Sequence, residues 1–153
     1  MKSRRREGYT PANDYYTPKW VFDGLGLKFD LDVCAPEGGT GLVPADKHYS
    51  LKDDGLVSPW FGRVWMNPPY SEPKPWIEKF IEHNNGIALV AISRSRSFKA
   101  LWDKADGMVI FTTDLSFVTP DGKLKGIFMP VALMALGAEN VAALHRMDKG
   151  RVR

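Results

Sequence analysis

Apolar positions along the chain fall into short blocks separated by glycine, proline and charged residues, and the spacing inside each block predicts its form. Gly86-Ile87-Ala88-Leu89-Val90-Ala91-Ile92 is apolar without alternation, the pattern of a parallel strand buried on both faces. Val131–Leu136 repeats that pattern, and Phe29–Ala35, Gly62–Met66 and Met108–Thr112 read as shorter strands. A weaker strand is expected at His48–Leu51. Trp76, Ile77, Phe80 and Ile81 recur at helical spacing in Trp76–His83, and a second helix is expected near Phe98–Lys104. Lys19–Leu25 follows Pro18, a residue suited to a first helical turn, and is punctuated by Gly24 and Gly26. Pro120-Asp121-Gly122 marks a turn, with a hairpin around Pro120–Gly126. Strands alternating with helices predict an α/β fold built on a largely parallel sheet.

The chain has 153 residues, 44% hydrophobic and 25% charged, which suits one globular domain and excludes a mostly disordered chain. No apolar run approaches the ~20 residues that span a bilayer. The basic start Met1-Lys2-Ser3-Arg4-Arg5-Arg6-Glu7 leads into no apolar leader segment. The single cysteine, Cys34, cannot form an internal disulfide, so a cytoplasmic address is expected. His48, His83 and His145 share no metal-ligand spacing, so no metal is expected. Trp20, Trp60, Trp65, Trp76 and Trp102 are expected mostly in the core.

Net charge is +3, but residues 1–6 carry +4 and residues 146–153 carry +3, leaving −4 on the body. Residues 1–13 are therefore expected as a basic tail, 14–145 as one domain and 146–153 as a second basic tail. Basic ends suit a polyanion such as DNA, although solvated tails have the same composition. Inside the body the basic run is Ser93-Arg94-Ser95-Arg96-Ser97-Phe98-Lys99. Its Arg94, Arg96 and Lys99 are candidate phosphate contacts, or alternatively the exposed start of a helix.

Asn67-Pro68-Pro69-Tyr70 carries the most chemistry. Two prolines cannot donate to a ladder, so the strand must end at Met66. The Asn67 side-chain carbonyl and the Pro68 backbone carbonyl can then both accept from an exocyclic amino group. That pairing aims the nitrogen lone pair outward and favours the positive charge that develops when the nitrogen attacks. Tyr70 offers a face on which a heterocycle can stack. Asp32 closes a strand and is followed by the small residues Cys34 and Ala35, which let backbone approach a ligand. Asp53 or Asp54 lies about 20 residues further on, near the spacing at which a nucleotide-fold acid meets ribose hydroxyls.

The ordered set Tyr16-Thr17-Pro18, Leu31-Asp32-Val33-Cys34-Ala35, Asp54-Gly55-Leu56 with Trp60, Val64-Trp65-Met66-Asn67-Pro68-Pro69-Tyr70-Ser71 with Trp76, and the strand Ile87–Ile92 resembles the phage-type Dam DNA N6-adenine methyltransferases. The likeness runs from about Asp14 to Leu136. It implies a compact Rossmann-like class I fold that uses S-adenosylmethionine and acts on double-stranded DNA, with the target adenine flipped from the stack. It also implies Asn67, Pro68, Pro69 and Tyr70 as the catalytic set. Tyr16, Thr17, Pro18, Asp32, Cys34, Ala35, Asp53 or Asp54, and Asn67 would be the cofactor contacts. Thr17-Pro18 equally reads as a helix start. The usual glycine pattern after the first strand is missing; Pro36-Glu37-Gly38-Gly39-Thr40-Gly41 is a loose substitute. Only 35 residues separate Asp32 from Asn67, so that stretch must be trimmed to short connections, since a full βαβ unit takes about 30. Two other readings stay open. The same tetrapeptide can orient cytosine N4 or a protein glutamine amide, and a binding protein with a lapsed site would also carry basic arms.

Overall fold

The computed structural model describes residues 15–111, 115–126, 130–147 and 151–152; the expected N-terminal tail, residues 1–13, lies outside them. Seven strands form the main sheet: β1 (Phe29–Asp32), β2 (Ala45–His48), β3 (Val64–Met66), β4 (Gly86–Ala91), β5 (Gly107–Ile110), β8 (Val131–Leu136) and β9 (Arg151–Val152). A separate hairpin pairs β6 (Ser116–Val118) with β7 (Leu124–Gly126) across the Pro120-Asp121-Gly122 turn. The sheet order is β2-β1-β3-β4-β8-β5-β9. β2, β1, β3 and β4 are mutually parallel, while β8 runs antiparallel to both β4 and β5, and β9 antiparallel to β5. The sheet is thus mixed and mostly parallel.

Helices cover both faces, which explains why the central strands are apolar throughout. Val21, Phe22 and Leu25 of α1 (Lys19–Leu25), with Ala143 and Leu144 of α4 (Ala138–His145), pack with Trp65, Ile87 and Leu89. On the opposite face Ile77 and Phe80 of α2 (Lys74–His83), with Phe98 and Leu101 of α3 (Arg96–Lys104), pack with Met66, Ala88 and Val90. Alternate residues of β4 therefore enter opposite layers, as a strand's two-residue period requires. Gly26, at φ 64°, ends α1 in the left-handed region that a Cβ disfavours. No helix among the described residues is long and apolar enough to cross a membrane.

Several expectations shift. The strand expected at His48–Leu51 lies at Ala45–His48, because parallel pairing aligns Phe29 with Ala45 and Asp32 with His48. Tyr49 donates its amide to the Asp32 carbonyl and accepts from the Ala35 amide, both at 2.8 Å, before the chain turns. Within the expected 146–153 tail, Arg146 caps the carboxyl end of α1 through two bonds to the Leu25 carbonyl, at 3.0 and 2.7 Å. Residues 151–152 pair with β5 through the main chain. Of the tryptophans expected mostly in the core, Trp65 is buried and Trp20, Trp60 and Trp76 pack half-buried against the core, while Trp102 is 53% exposed on α3.

Candidate active site

The chain leaves β1 for β2 on one side and returns to β3 on the other. The carboxyl ends of β1 and β3 thus diverge to open a crevice, the place where open α/β sheets bind ligands. Asp32 ends β1 opposite Trp65 of β3, and the Val33 amide still donates to the Trp65 carbonyl at 3.1 Å. Met66 ends β3, and Asn67-Pro68-Pro69 follow as buried residues at the rim. The acid and the tetrapeptide therefore stand side by side, set by strand register.

Asn67 is 5% exposed. Its Nδ2 donates to the Tyr15 carbonyl at 3.2 Å, which leaves Oδ1 buried and without a partner among the described residues. The Tyr70 hydroxyl and Thr17 Oγ1 are likewise buried without partners, and burial pushes the Tyr70 hydroxyl's pKa up, so that it keeps its proton. An unsatisfied buried polar group costs about 1–3 kcal/mol. Three of them, all in segments singled out by sequence, are groups that a polar ligand would satisfy, and none of the three residues is among those lining the cavity described below.

Tyr16-Thr17-Pro18 is held differently from a plain helix start. The Tyr16 amide donates to the Val118 carbonyl at 2.7 Å and the Val118 amide returns to Tyr16 at 2.8 Å. The β6–β7 hairpin therefore fixes the segment whose Tyr15 carbonyl orients Asn67. Pro18, extended at φ −69°, is the N-cap of α1. Nothing in the sequence spacing linked the hairpin to the tetrapeptide.

Asp32 is 3% exposed, and its Oδ1 accepts from the Cys34 amide at 3.3 Å. Burial pushes its pKa up to about 7, with the Cys34 bond opposing the shift. Burial, with Asp32 adding to it, also raises the half-buried Cys34 thiol, which therefore stays neutral. A cavity of about 250 Å³ joins the end of β1 to the tetrapeptide. Val33, Cys34 and Ala35 line one side, Pro69 and Trp76 another, and Leu51, Asp54 and Leu56 a third.

The two candidate acids separate cleanly. The Asp53 carboxylate folds back to accept from the Ser50 amide at 2.9 Å, a turn-closing role, and it does not line the cavity. Asp54, at φ 54°, lines the cavity and accepts from the Leu56 amide at 3.2 Å. A larger open groove, about 620 Å³ between Trp60 and the outer side of α2, touches none of the tetrapeptide.

Arg94, Arg96 and Lys99 are exposed where the chain passes from β4 into α3. Ser95 caps that helix by accepting from the Phe98 amide at 3.1 Å, and Lys99 pairs with Asp103 at 2.7 Å. A groove of about 590 Å³ runs from Ser71 and Glu72, just past Tyr70, to Ser95 and Arg96. Arg96 and the residues just after the tetrapeptide thus share this groove, which residues 67–70, Arg94 and Lys99 do not line. No group of three or more His, Cys, Asp or Glu among the described residues is placed to hold a metal.

A family model described as DNA N-6-adenine-methyltransferase (Dam) matches residues 9–126. The chain is 36% identical to a DNA N-6-adenine-methyltransferase of Haemophilus phage HP1 over 83 residues, covering 48% of this chain and 46% of that protein. It is 32% identical to a DNA N-6-adenine-methyltransferase of Escherichia phage T1 over 109 residues, covering 59% of this chain and 44% of that protein. The matched regions thus span less than half the length of these two relatives.

Proposed function

Because the chain belongs to the DNA N-6-adenine-methyltransferase (Dam) family, we propose that it transfers a methyl group from S-adenosylmethionine to adenine N6 in double-stranded DNA. The observation that carries this reading is Asn67 Oδ1, a buried acceptor without a partner among the described residues, two residues from the cavity-lining Pro69, while its own amide nitrogen is tied to Tyr15. That bond supports an amide turned with its oxygen free, so that an acceptor and not a donor would meet the substrate. A base amino group has the donor it lacks.

The residues fit the cofactor. The cavity's apolar walls, Val33, Leu51, Leu56 and Trp76, suit an adenine ring, and Asp54 suits ribose hydroxyls. Asp32 and Thr17 would serve the polar groups of the remaining portion. S-adenosylmethionine, when bound, supplies an electrophilic methyl on a sulfonium. The strand order, with its switch point between β1 and β3, supports a Rossmann-like class I fold in which the helix expected after β1 is replaced by a loop.

Asn67 and the Pro68 carbonyl would hold the two amino hydrogens of a flipped adenine, and Tyr70 would stack on its ring. Both acceptors face nitrogen as it gains positive charge, so they stabilise the transition state more than the ground state. Arg94 and Arg96 would bind phosphates along the groove that starts at Ser71. A buried acceptor without a partner, in the same turn as the cavity-lining Pro69, favours an enzyme over a binding protein with a lapsed site.

Asn67→Ala tests the reading. S-adenosylmethionine binding, measured by calorimetry, should persist, while methyl transfer to DNA should fall at least ~100-fold, the scale of losing one such stabiliser. A near-wild-type transfer rate would overturn the assignment.

A further inference from the structure

We infer that Lys79, on the outer side of α2, is a positioning residue that holds the Asp54–Leu56 wall of the cavity in its ligand-binding shape. The inference rests on the methyltransferase reading above and names a residue outside the cavity lining. The wall belongs to residues 49–63, an irregular stretch between β2 and β3 that has no strand or helix to fix its backbone. Its own turns, such as the Asp53 amide on the Ser50 carbonyl and the Val57 amide on the Asp54 carbonyl, hold it locally, and a further anchor must tie it to α2.

The Lys79 ammonium does so. Its Nζ donates to the carbonyls of Gly55 at 3.1 Å, Leu56 at 3.0 Å and Ser58 at 2.6 Å. An ammonium has three hydrogens to give, and one loop takes them all. Trp60 reinforces the grip, since its Nε1 donates to the same Gly55 carbonyl at 2.7 Å and its ring lies 5.2 Å from the ammonium. Lys19, Lys28, Lys52 and Lys99 instead spend their charge on carboxylates within 3 Å.

Turning the Gly55 and Leu56 carbonyls toward α2 fixes the peptides on either side of Leu56 and sets the backbone that carries Asp54. Gly55 closes the other side, because a Cβ there would lie 2.2 Å from the Val33 carbonyl. The wall is therefore clamped between the end of β1 and Lys79. Packing of α2 itself comes from Ile77 and Phe80 on its buried face. Loss of the ammonium should accordingly loosen the pocket without unseating the helix.

The test uses the full chain, with calorimetry for S-adenosylmethionine and steady-state kinetics on duplex DNA. Lys79→Met should weaken cofactor affinity and raise its KM roughly tenfold, the scale of lost hydrogen bonds to a charged group, with kcat and the KM for DNA little changed. Lys79→Arg, which can also donate to carbonyls, should recover part of the loss. Cofactor affinity unchanged in Lys79→Met, or kcat falling with no change in cofactor KM, would overturn the inference. If Lys79→Met fails to fold, Lys79→Gln, which keeps a polar end but cannot reach all three carbonyls, is read instead; an unchanged cofactor KM in that variant overturns the inference equally. Wild-type protein that binds no S-adenosylmethionine would instead sink the parent reading.

Discussion

Asp32→Asn separates what the carboxylate costs the fold from what it does for a ligand. The side chain is 3% exposed, and among the described residues its one hydrogen bond comes from the Cys34 amide and no ion pair neutralises it. Burial raises its pKa from 3.8 to about 7. The native state then holds the proton more tightly than the unfolded chain does, so stability is fully present below about pH 4 and is lost as pH rises to about 7. About three pH units at 1.36 kcal/mol each is on the order of 4 kcal/mol across the window, and pH 5 to 8 spans about 3 kcal/mol of it. Asparagine keeps an acceptor for the Cys34 amide and carries no charge. Urea unfolding of both proteins without ligand, at pH 5 and pH 8, isolates the effect. The variant should gain on wild type by up to ~3 kcal/mol between those pH values, while its affinity for S-adenosylmethionine falls. Parallel pH dependences for the two proteins would refute the buried, uncompensated carboxylate.

Two other outcomes follow from particular contacts. Gly55→Ala should lower thermal stability by ~1–3 kcal/mol and weaken cofactor binding, because the added methyl meets the Val33 carbonyl and the Trp76 ring; an unchanged Tm would contradict the close packing. Replacing Arg94 and Arg96 together by alanine should reduce the salt dependence of DNA binding, a log–log slope, by about 2 without altering base preference. A slope equal to wild type would remove both from the DNA path.

Uniform apolarity made β4 and β8 legible in the sequence, and the proline pair made the end of β3 legible, since those features act through local backbone chemistry. β2 was displaced because it is an edge strand whose Asp46 and Lys47 point to water, so pairing with β1 and not hydrophobicity defines it. The helix α4 was hidden by Asn140, a polar residue at a buried position that breaks the apolar stripe. Its amide is satisfied only in three dimensions, by Arg63, Asn85 and the Leu136 carbonyl.

The site shows the same division. The types of Asn67, Thr17 and Asp32 identified them, but which amide atom of Asn67 stays open depends on Tyr15, 52 residues away. Adjacent Asp53 and Asp54 are equivalent in sequence; a left-handed turn at Asp54 sends one to Ser50 and the other to the cavity. Lys79 carried no signal, because its three carbonyl partners lie 21 to 24 residues earlier and are main-chain atoms.

Product identity bears most directly on the chemistry placed at Asn67. The full chain would be incubated with methyl-labelled S-adenosylmethionine and unmethylated duplex DNA, and the DNA digested to nucleosides. Label is expected in N6-methyldeoxyadenosine, and it should vanish with Asn67→Ala. Label confined to N4-methyldeoxycytidine, or found in protein and not in DNA, would contradict adenine methylation.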